Sequence, residues 1–414
     1  MAEFMTGKSE TRRIAVLGAG PIGIEAALYA RQLGFAVTVY ERGQIGEHLR
    51  RWGHVRLFSP FGMNSTALGR STLRSADLPG ESECITGVEH LSRYLSPLAQ
   101  SESLKESLRT ETLIIRVGRG GFLKREALGD ARRAQQPFQL LLRKGQEERI
   151  DEADIVLDCT GTYGAHCWMG DGGIPAVGEL SVEAQVSYGL DDVLGGRKGH
   201  YAGKSVLVVG SGYSAATSAC LLSTLAEQHP ETWIVWLARG NRRQPLPRIA
   251  NDPLKERDRL AARANSLAAR GDGNIEFHSQ SVIRSIAWNN NAFRVNSRIN
   301  GKDRVWEIDR VIANVGYVPD TAMFRELQIQ ECPATQAPMG FAAVIQKTAG
   351  ADSATVPQFS AAALRTTEQN FYIIGAKSYG RNSQFFLRTG FEQVRDVFAM
   401  ITGKPDLDLY KSAK

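Results

Sequence analysis

The chain lacks any apolar run approaching the roughly 18–20 residues that a membrane-spanning helix needs, so no membrane partner is expected. Cysteine is scarce: Cys84, Cys159, Cys167, Cys220 and Cys332 are all there are. No two of them stand as C-x-x-C or C-x-x-x-x-C, which removes a redox dithiol of the usual spacing. The eight-residue step from Cys159 to Cys167 fits no familiar zinc arrangement either. No metal site is expected, and buried free thiols are the expected state of most. A strong charge bias is also lacking. Lys and Arg number 50 against 44 Asp and Glu, a net charge of +6. The basic residues are spread without the aromatic-interleaved run that a nucleic-acid surface would show, so no nucleic-acid partner is expected. The opening MAEFMTGKSE has no apolar core of a secretory signal. Cytoplasm is the expected compartment, and Met5 so soon after Met1 would fit a short leader. What is present is 414 residues, 43% hydrophobic and 23% charged, the composition of an ordinary globular chain of two or three domains.

The stretch RIAVLGAGPIGIEAALYARQLGFAVTVYE, Arg13 to Glu41, organises the rest. An apolar strand runs into Gly18, Gly20 and Gly23, a helix follows, and a second strand ends in an acid. Each part has a task in a dinucleotide site. Gly18 permits the strand-to-helix turn, Gly20 lets the backbone approach a pyrophosphate, and Gly23 lets the helix pack on the sheet. Pro21 suits the first helical position, where no amide hydrogen is needed. The helix N-terminus offers free N–H groups to phosphate, and Glu41 is placed to accept hydrogen bonds from a ribose.

The plan recurs at KSVLVVGSGYSA, Lys204 to Ala215, with Gly210, Gly212 and Ala215 in the three glycine places. Its second strand, TWIVWL, ends in Arg239, Arg242 and Arg243 rather than an acid. A guanidinium binds a 2′-phosphate that a carboxylate would repel, so this copy is expected to prefer NADPH. In both copies a β-meander follows, then a strand ending near Gly161 or at the NVGYVPD run. Two matches in the same order indicate an internal repeat.

Between these landmarks the expectations are coarser. Residues 45–70 read as an ordered loop covering a ligand, with Trp52, Phe58 and Phe61 available to a flat ring and Arg50, Arg51 and Arg56 to phosphates. Periodicity predicts a helix over 88–109. Asp252 reads as the N-cap of a helix to about Arg270 that stops at Gly271. Residues 346–363 read as an exposed loop. Thr389 reads as the cap of a last helix through Ile401, ended by Gly403.

The ordered set GAGPIG at 18–23 with Glu41, CTG at 159–161, GSGYSA at 210–215, NVGYVPD at 314–320 and IIGA at 373–376 resembles the flavoproteins with two dinucleotide-binding domains. These include flavin-containing and N-hydroxylating monooxygenases and thioredoxin-reductase-like enzymes. The resemblance implies an α/β fold of two Rossmann-like three-layer domains, each with a β-meander, the NADPH domain inserted in the FAD domain. Residues 1–175 and 321–414 would form the FAD domain and 200–320 the NADPH domain. By the same resemblance, FAD would be held at Gly18, Gly20, Pro21, Ile22, Gly23, Glu41, Arg42, Trp52, Val117, Gly161 and Gly375. NADPH would be held at Gly210, Gly212, Tyr213, Ser214, Ala215, Arg239 and Arg242.

The family's usual acid after Gly375 is replaced by Ala376; Lys377 or a backbone group is the candidate substitute. The FxGxxxH fingerprint of some branches is not recognisable. The leading expectation is an NADPH-dependent monooxygenase working through a C4a-(hydro)peroxyflavin on a small molecule, with dioxygen as co-substrate and oxygenation at nitrogen, sulfur or a ketone. Trp52, Met63, Asn64 and His166 are its candidate catalytic residues: Asn64 to bond the oxygenated flavin, His166 to relay a proton. A flavin reductase without oxygen insertion and a non-catalytic nucleotide-sensing protein are the alternatives. A homodimer is the candidate assembly.

Overall fold

A computed structural model describes residues 11–74, 77–270, 273–347 and 359–412. Its first sheet is built at the chain's start and closed near its end. Strands β1 (Arg13–Leu17), β2 (Ala36–Tyr40), β3 (Leu108–Arg109), β7 (Ile155–Asp158) and β15 (Phe371–Ile373) pair in the parallel order β15-β7-β1-β2-β3. Such strands, covered on both faces, read as continuous apolar runs. Ile14 to Leu17 and Ile155 to Leu157 are accordingly buried throughout. The helix Pro21–Gln32 crosses between β1 and β2 and packs on the terminal helix Leu387–Thr402. An antiparallel meander, β4 (Leu113–Arg119), β5 (Phe138–Lys144) and β6 (Glu147–Ala153), returns the chain to β7.

The second unit repeats this inside the first. Strands β8 (Ser205–Val209), β9 (Trp233–Leu237), β10 (Ile275–His278) and β14 (Arg310–Ala313) pair in the order β10-β9-β8-β14. The helix Tyr213–Gln228 is its crossover, and β11 (Ser281–Asn289), β12 (Ala292–Ile299) and β13 (Lys302–Ile308) are its meander. Both hairpins of that meander turn where the sequence supplies residues tolerant of positive φ: Asn290 and Asn291, then Asn300 and Gly301, the requirement of type I′ turns.

Several local expectations are corrected. The helix expected over 88–109 ends at Ala99, and Leu108–Arg109 is an edge strand. Pro97 lies inside it and cannot donate to the preceding turn; the turn before it, Leu91–Leu95, is widened to π geometry, which accommodates the ring. Asp252 is not the N-cap: the helix Lys255–Ala269 starts three residues later, because the carboxylate accepts from the buried Arg257 guanidinium and from Leu254 N. Thr389 is the third residue of its helix, whose N-cap is Phe386. Gly403 ends that helix with φ 67°. Gln346 and Lys347 close a helix, Met339–Lys347. The expected leader, the Gly271 stop and 348–358 lie outside the described residues.

Candidate active site

Ligands of open parallel sheets bind beyond the carboxyl ends of the strands. Here β15, β7 and β1 lie side by side, and the turns after them, at Gly375, Cys159–Gly161 and Gly18, form one edge. Gly18 has φ 96°, and a Cβ on it would sit 3.0 Å from Cys159 O. A Cβ on Gly23 would sit 1.9 Å from Gly18 O. Gly20 caps the first helix with no side-chain hydrogen bond, and Pro21 follows at the first position. The Glu41 carboxylate accepts from Ala19 N and Gly43 N, both at 2.8 Å, which aims it at the glycine turn. Arg42 makes no ion pair among the described residues, and its guanidinium lies against Gly164. Ile22 packs under Gly375 and Gly390, joining the first helix to the helix Leu387–Thr402. Val117 is buried in β4.

The loop after Glu41 divides its aromatics. Phe61 is fully buried against His90 and Tyr94 and closes the core. Phe58 reaches the second unit and meets Tyr213 edge-on at 5.3 Å. Trp52 lies against Gly87 and faces Tyr163 at 6.5 Å, its Nε1 buried with no hydrogen-bond partner. Arg51 pairs with Glu47, and Arg50 and Arg56 donate to the carbonyls of Ile45 and Cys84, so each has a local partner.

Met63 ends a short 3-10 turn and is partly exposed. Asn64 is buried, accepts from Ser59 Oγ and donates to Ser59 O, both at 2.8 Å, so one of its two amide hydrogens is held within the loop. His166 is also held by neighbours. Its ring stacks on Tyr188 at 3.6 Å, with one nitrogen on Cys167 O and the other on Glu183 at 3.1 Å. It lies in a two-strand ribbon where the chain's crossings meet, Cys167 N donating to Gly316 O and Val318 N to Ala165 O.

The second glycine turn reproduces the first. Gly212 caps its helix at φ −89°, ψ −179°, against −79° and −177° for Gly20, again with no side-chain cap. Two helix N-termini thus keep their leading N–H groups free for an anion. A Cβ on Gly210 would sit 2.3 Å from Asn314 O, and Ala215 is fully buried behind it. Tyr213 and Ser214 are partly exposed on the first turn. After β9, Arg239 and Arg242 are exposed and make no ion pair among the described residues.

The family model described as pyridine nucleotide-disulphide oxidoreductase matches residues 15–123. No curated protein matches the chain. Among solved structures, the bacillithiol disulfide reductase of Bacillus cereus superposes with a TM-score of 0.69 at 17% identity, over 95% of this chain and 100% of its own. The thioredoxin reductase of Lactococcus lactis gives 0.57 at 15% identity, over 95% and 99%. An ornithine N-hydroxylase of Kutzneria sp. 744, solved with reduced FAD, NADP+ and L-ornithine, gives 0.61 at 12% identity, over 95% and 99%. This chain shares the fold of these two-domain proteins.

The carboxyl edge of the first sheet fits a dinucleotide on its own geometry. A Cβ on Gly20 or Gly161 would meet no atom within 4 Å, so the turn backbones are bare on the ligand side. The orphaned Trp52 Nε1 is a donor left for a bound group. Sequence reasoning missed the rest of this wall. His48 lies 5.6 Å from Tyr163, and Tyr163 meets Tyr317 edge-on at 4.9 Å. Burial, with the Arg42 and Arg51 charges, pushes the His48 imidazole down to about 4, so it is neutral at pH 7. Tyr317 sits inside NVGYVPD and Tyr163 two residues after CTG, which was the available signal. His48 had none.

Proposed function

We propose that this chain is an NADPH-dependent FAD monooxygenase acting on a small molecule, with dioxygen as co-substrate. FAD would lie on the first edge, its pyrophosphate at the Gly20–Gly23 turn and its ribose at Glu41. NADPH would lie on the Gly210–Ala215 turn with its 2′-phosphate at Arg239 and Arg242. The flavin supplies hydride acceptance and oxygen activation when bound. The chain's own part is to bind, orient and exclude water. The His48, Trp52, Tyr163 and Tyr317 rings give that site an apolar wall with a neutral imidazole.

The observation that carries oxygen rather than a disulfide as the acceptor is the state of the thiols. Cys159, nearest the flavin turn, is pushed well above the ordinary thiol range by burial and by the Asp158 charge. Burial also raises Cys84, Cys167 and Cys220. Cys332 alone is lowered, by the Thr335 hydroxyl, in a buried turn with no second thiol spaced for exchange. The reductase reading rests on the higher TM-score of the bacillithiol disulfide reductase. Aerobic NADPH oxidation by the FAD-loaded protein decides between them. Turnover in air without any disulfide, with little hydrogen peroxide released once the right amine, sulfide or ketone is present, is expected. Turnover that requires a disulfide acceptor would sink the monooxygenase reading.

The arginines give a separate prediction. Replacing both Arg239 and Arg242 by alanine removes charge-assisted bonds which, at these exposed side chains, are worth about 1.5–3 kcal/mol together. The KM for NADPH is expected to rise roughly 10–100-fold, with NADH kinetics and kcat little changed. Equal losses with both nucleotides would show that the arginines do not read the 2′-phosphate.

A further inference from the structure

We propose that Lys377 is a positioning residue for the flavin end of the first site, acting through a buried triangle with Asp158 and Thr160. The proposal rests on the reading that FAD occupies this edge. Strands β7 and β15 are parallel neighbours, Ile373 beside Asp158. The turn after each therefore emerges at the same carboxyl edge. Lys377 Nζ donates to Asp158 Oδ2 at 2.6 Å and to Thr160 Oγ1 at 3.0 Å. Asp158 Oδ1 accepts from Thr160 Oγ1 at 2.6 Å and from Thr160 N at 3.1 Å. Three side chains thus close a ring that clamps the Cys159–Gly161 turn to the Gly375–Tyr379 turn.

The ammonium and carboxylate side chains are 1% and 0% exposed. A pair so deeply buried is a poor source of stability, since desolvation cancels most of its attraction. What it supplies is a fixed geometry, and the turns it joins need one. Gly161 and Gly375 adopt φ 68° and 75°, conformations open to few residues and easily lost. Ala376 adds no polar group at this edge, so a ligand there must be oriented by turn backbone. A second network holds the far side of the same turn: Gly375 N donates to Gln393 Oε1, Gln393 Nε2 to Ser378 Oγ, and Ser378 Oγ to Gly375 O, at 2.7–2.8 Å. Lys377 thus locks the turn to β7, and Gln393 locks it to the terminal helix.

Three variants test this: Thr160→Val, which leaves both charges paired, Lys377→Met, and the double variant Asp158→Asn with Lys377→Met, which removes both charges together. The measurements are the FAD dissociation constant of the apoprotein by fluorescence titration, the apoprotein Tm, and the visible circular dichroism of the FAD-saturated protein. Thr160→Val and the double variant are expected to weaken FAD binding roughly tenfold or more, to change the flavin dichroism at saturation, and to leave the apoprotein Tm near that of the wild type. Lys377→Met, with Asp158 left unpaired, is expected to lose Tm as well. Wild-type affinity and wild-type dichroism in Thr160→Val overturn the proposal, whatever the double variant does. A wild-type apoprotein that takes up no FAD overturns the cofactor reading, and this proposal with it.

Discussion

Gly23→Ala is expected to yield protein without bound flavin and with a Tm lowered by many degrees. The added Cβ would lie 1.9 Å from the Gly18 carbonyl oxygen and 3.0 Å from its carbon, far inside any tolerated contact. Neither partner can retreat cheaply. Gly18 is held by its N–H on Tyr40 O at 2.7 Å, and the Cys159 carbonyl lies directly behind it. The helix carrying Gly23 is wedged by Ile22 under Gly375 and Gly390. Overpacking a site that cannot relax costs about 1–3 kcal/mol and sometimes more. Here the strain falls on the turn proposed to hold the pyrophosphate, so affinity is lost with stability. Gly20→Ala is the control. Its Cβ meets nothing within 4 Å at a φ of −79°, so the apoprotein should melt like the wild type while FAD binding falls. Thermal unfolding and flavin content of both variants check this. A Gly23→Ala protein that is yellow and melts normally would contradict the close packing, and a Gly20→Ala protein that binds FAD normally would remove the pyrophosphate from that turn.

Both glycine turns were legible because their chemistry is local. Spacing within 29 residues, from Arg13 to Glu41, carries the strand, the turn, the helix and the acid, and the same ruler applied at Lys204 finds the second copy. The meanders were legible for a like reason: Asn and Gly at the hairpin tips state their own φ. What stayed hidden depends on partners far apart in the chain. Asp158 and Lys377 meet across 219 residues, and no pattern in either segment announces the pair. The partners of Asn64 and His166 were hidden in the same way: a loop amide or a lone imidazole shows no partner in the sequence until Ser59, or Glu183 and Tyr188, is placed beside it. The helix expected over 88–109 failed differently, because apolar periodicity ran on while the polar SESLKES run after Ala99 ended the regular hydrogen bonding.

Glu25 is expected to contribute a loss of stability as pH rises from about 4.5 to about 7. A comparison with Glu25→Gln separates it from the half-buried His48 imidazole, whose lowered pKa acts in the opposite direction over much of that range. This glutamate lies in the first helix two residues beyond Gly23 and is 1% exposed. One oxygen accepts from Thr66 Oγ1 at 3.0 Å, and the other has no hydrogen-bond partner. Around it stand Tyr94 and Tyr410, with Tyr29 one turn along the helix and Arg70 the nearest cation. Burial therefore outweighs the help of the Thr66 hydroxyl and the Arg70 charge and pushes the carboxyl up to about 7. The folded state holds this proton more tightly than the unfolded chain does. Below about 4.5 both states are protonated and the group is neutral in the balance. Between 4.5 and 7 the unfolded chain ionises first, so unfolding is favoured progressively, and above 7 the penalty is complete. A shift of that size corresponds to about 3 kcal/mol. Glu25→Gln keeps an acceptor for Thr66 and abolishes the titration. Its Tm should match the wild type at pH 4.5 and exceed it at pH 8, with the gap opening between. Wild-type and variant melting curves that stay parallel over this range would show that Glu25 titrates like an exposed acid. The residue ties the first helix to the 59–66 loop through Thr66, so the penalty falls where that loop packs on the helix that follows the first glycine turn.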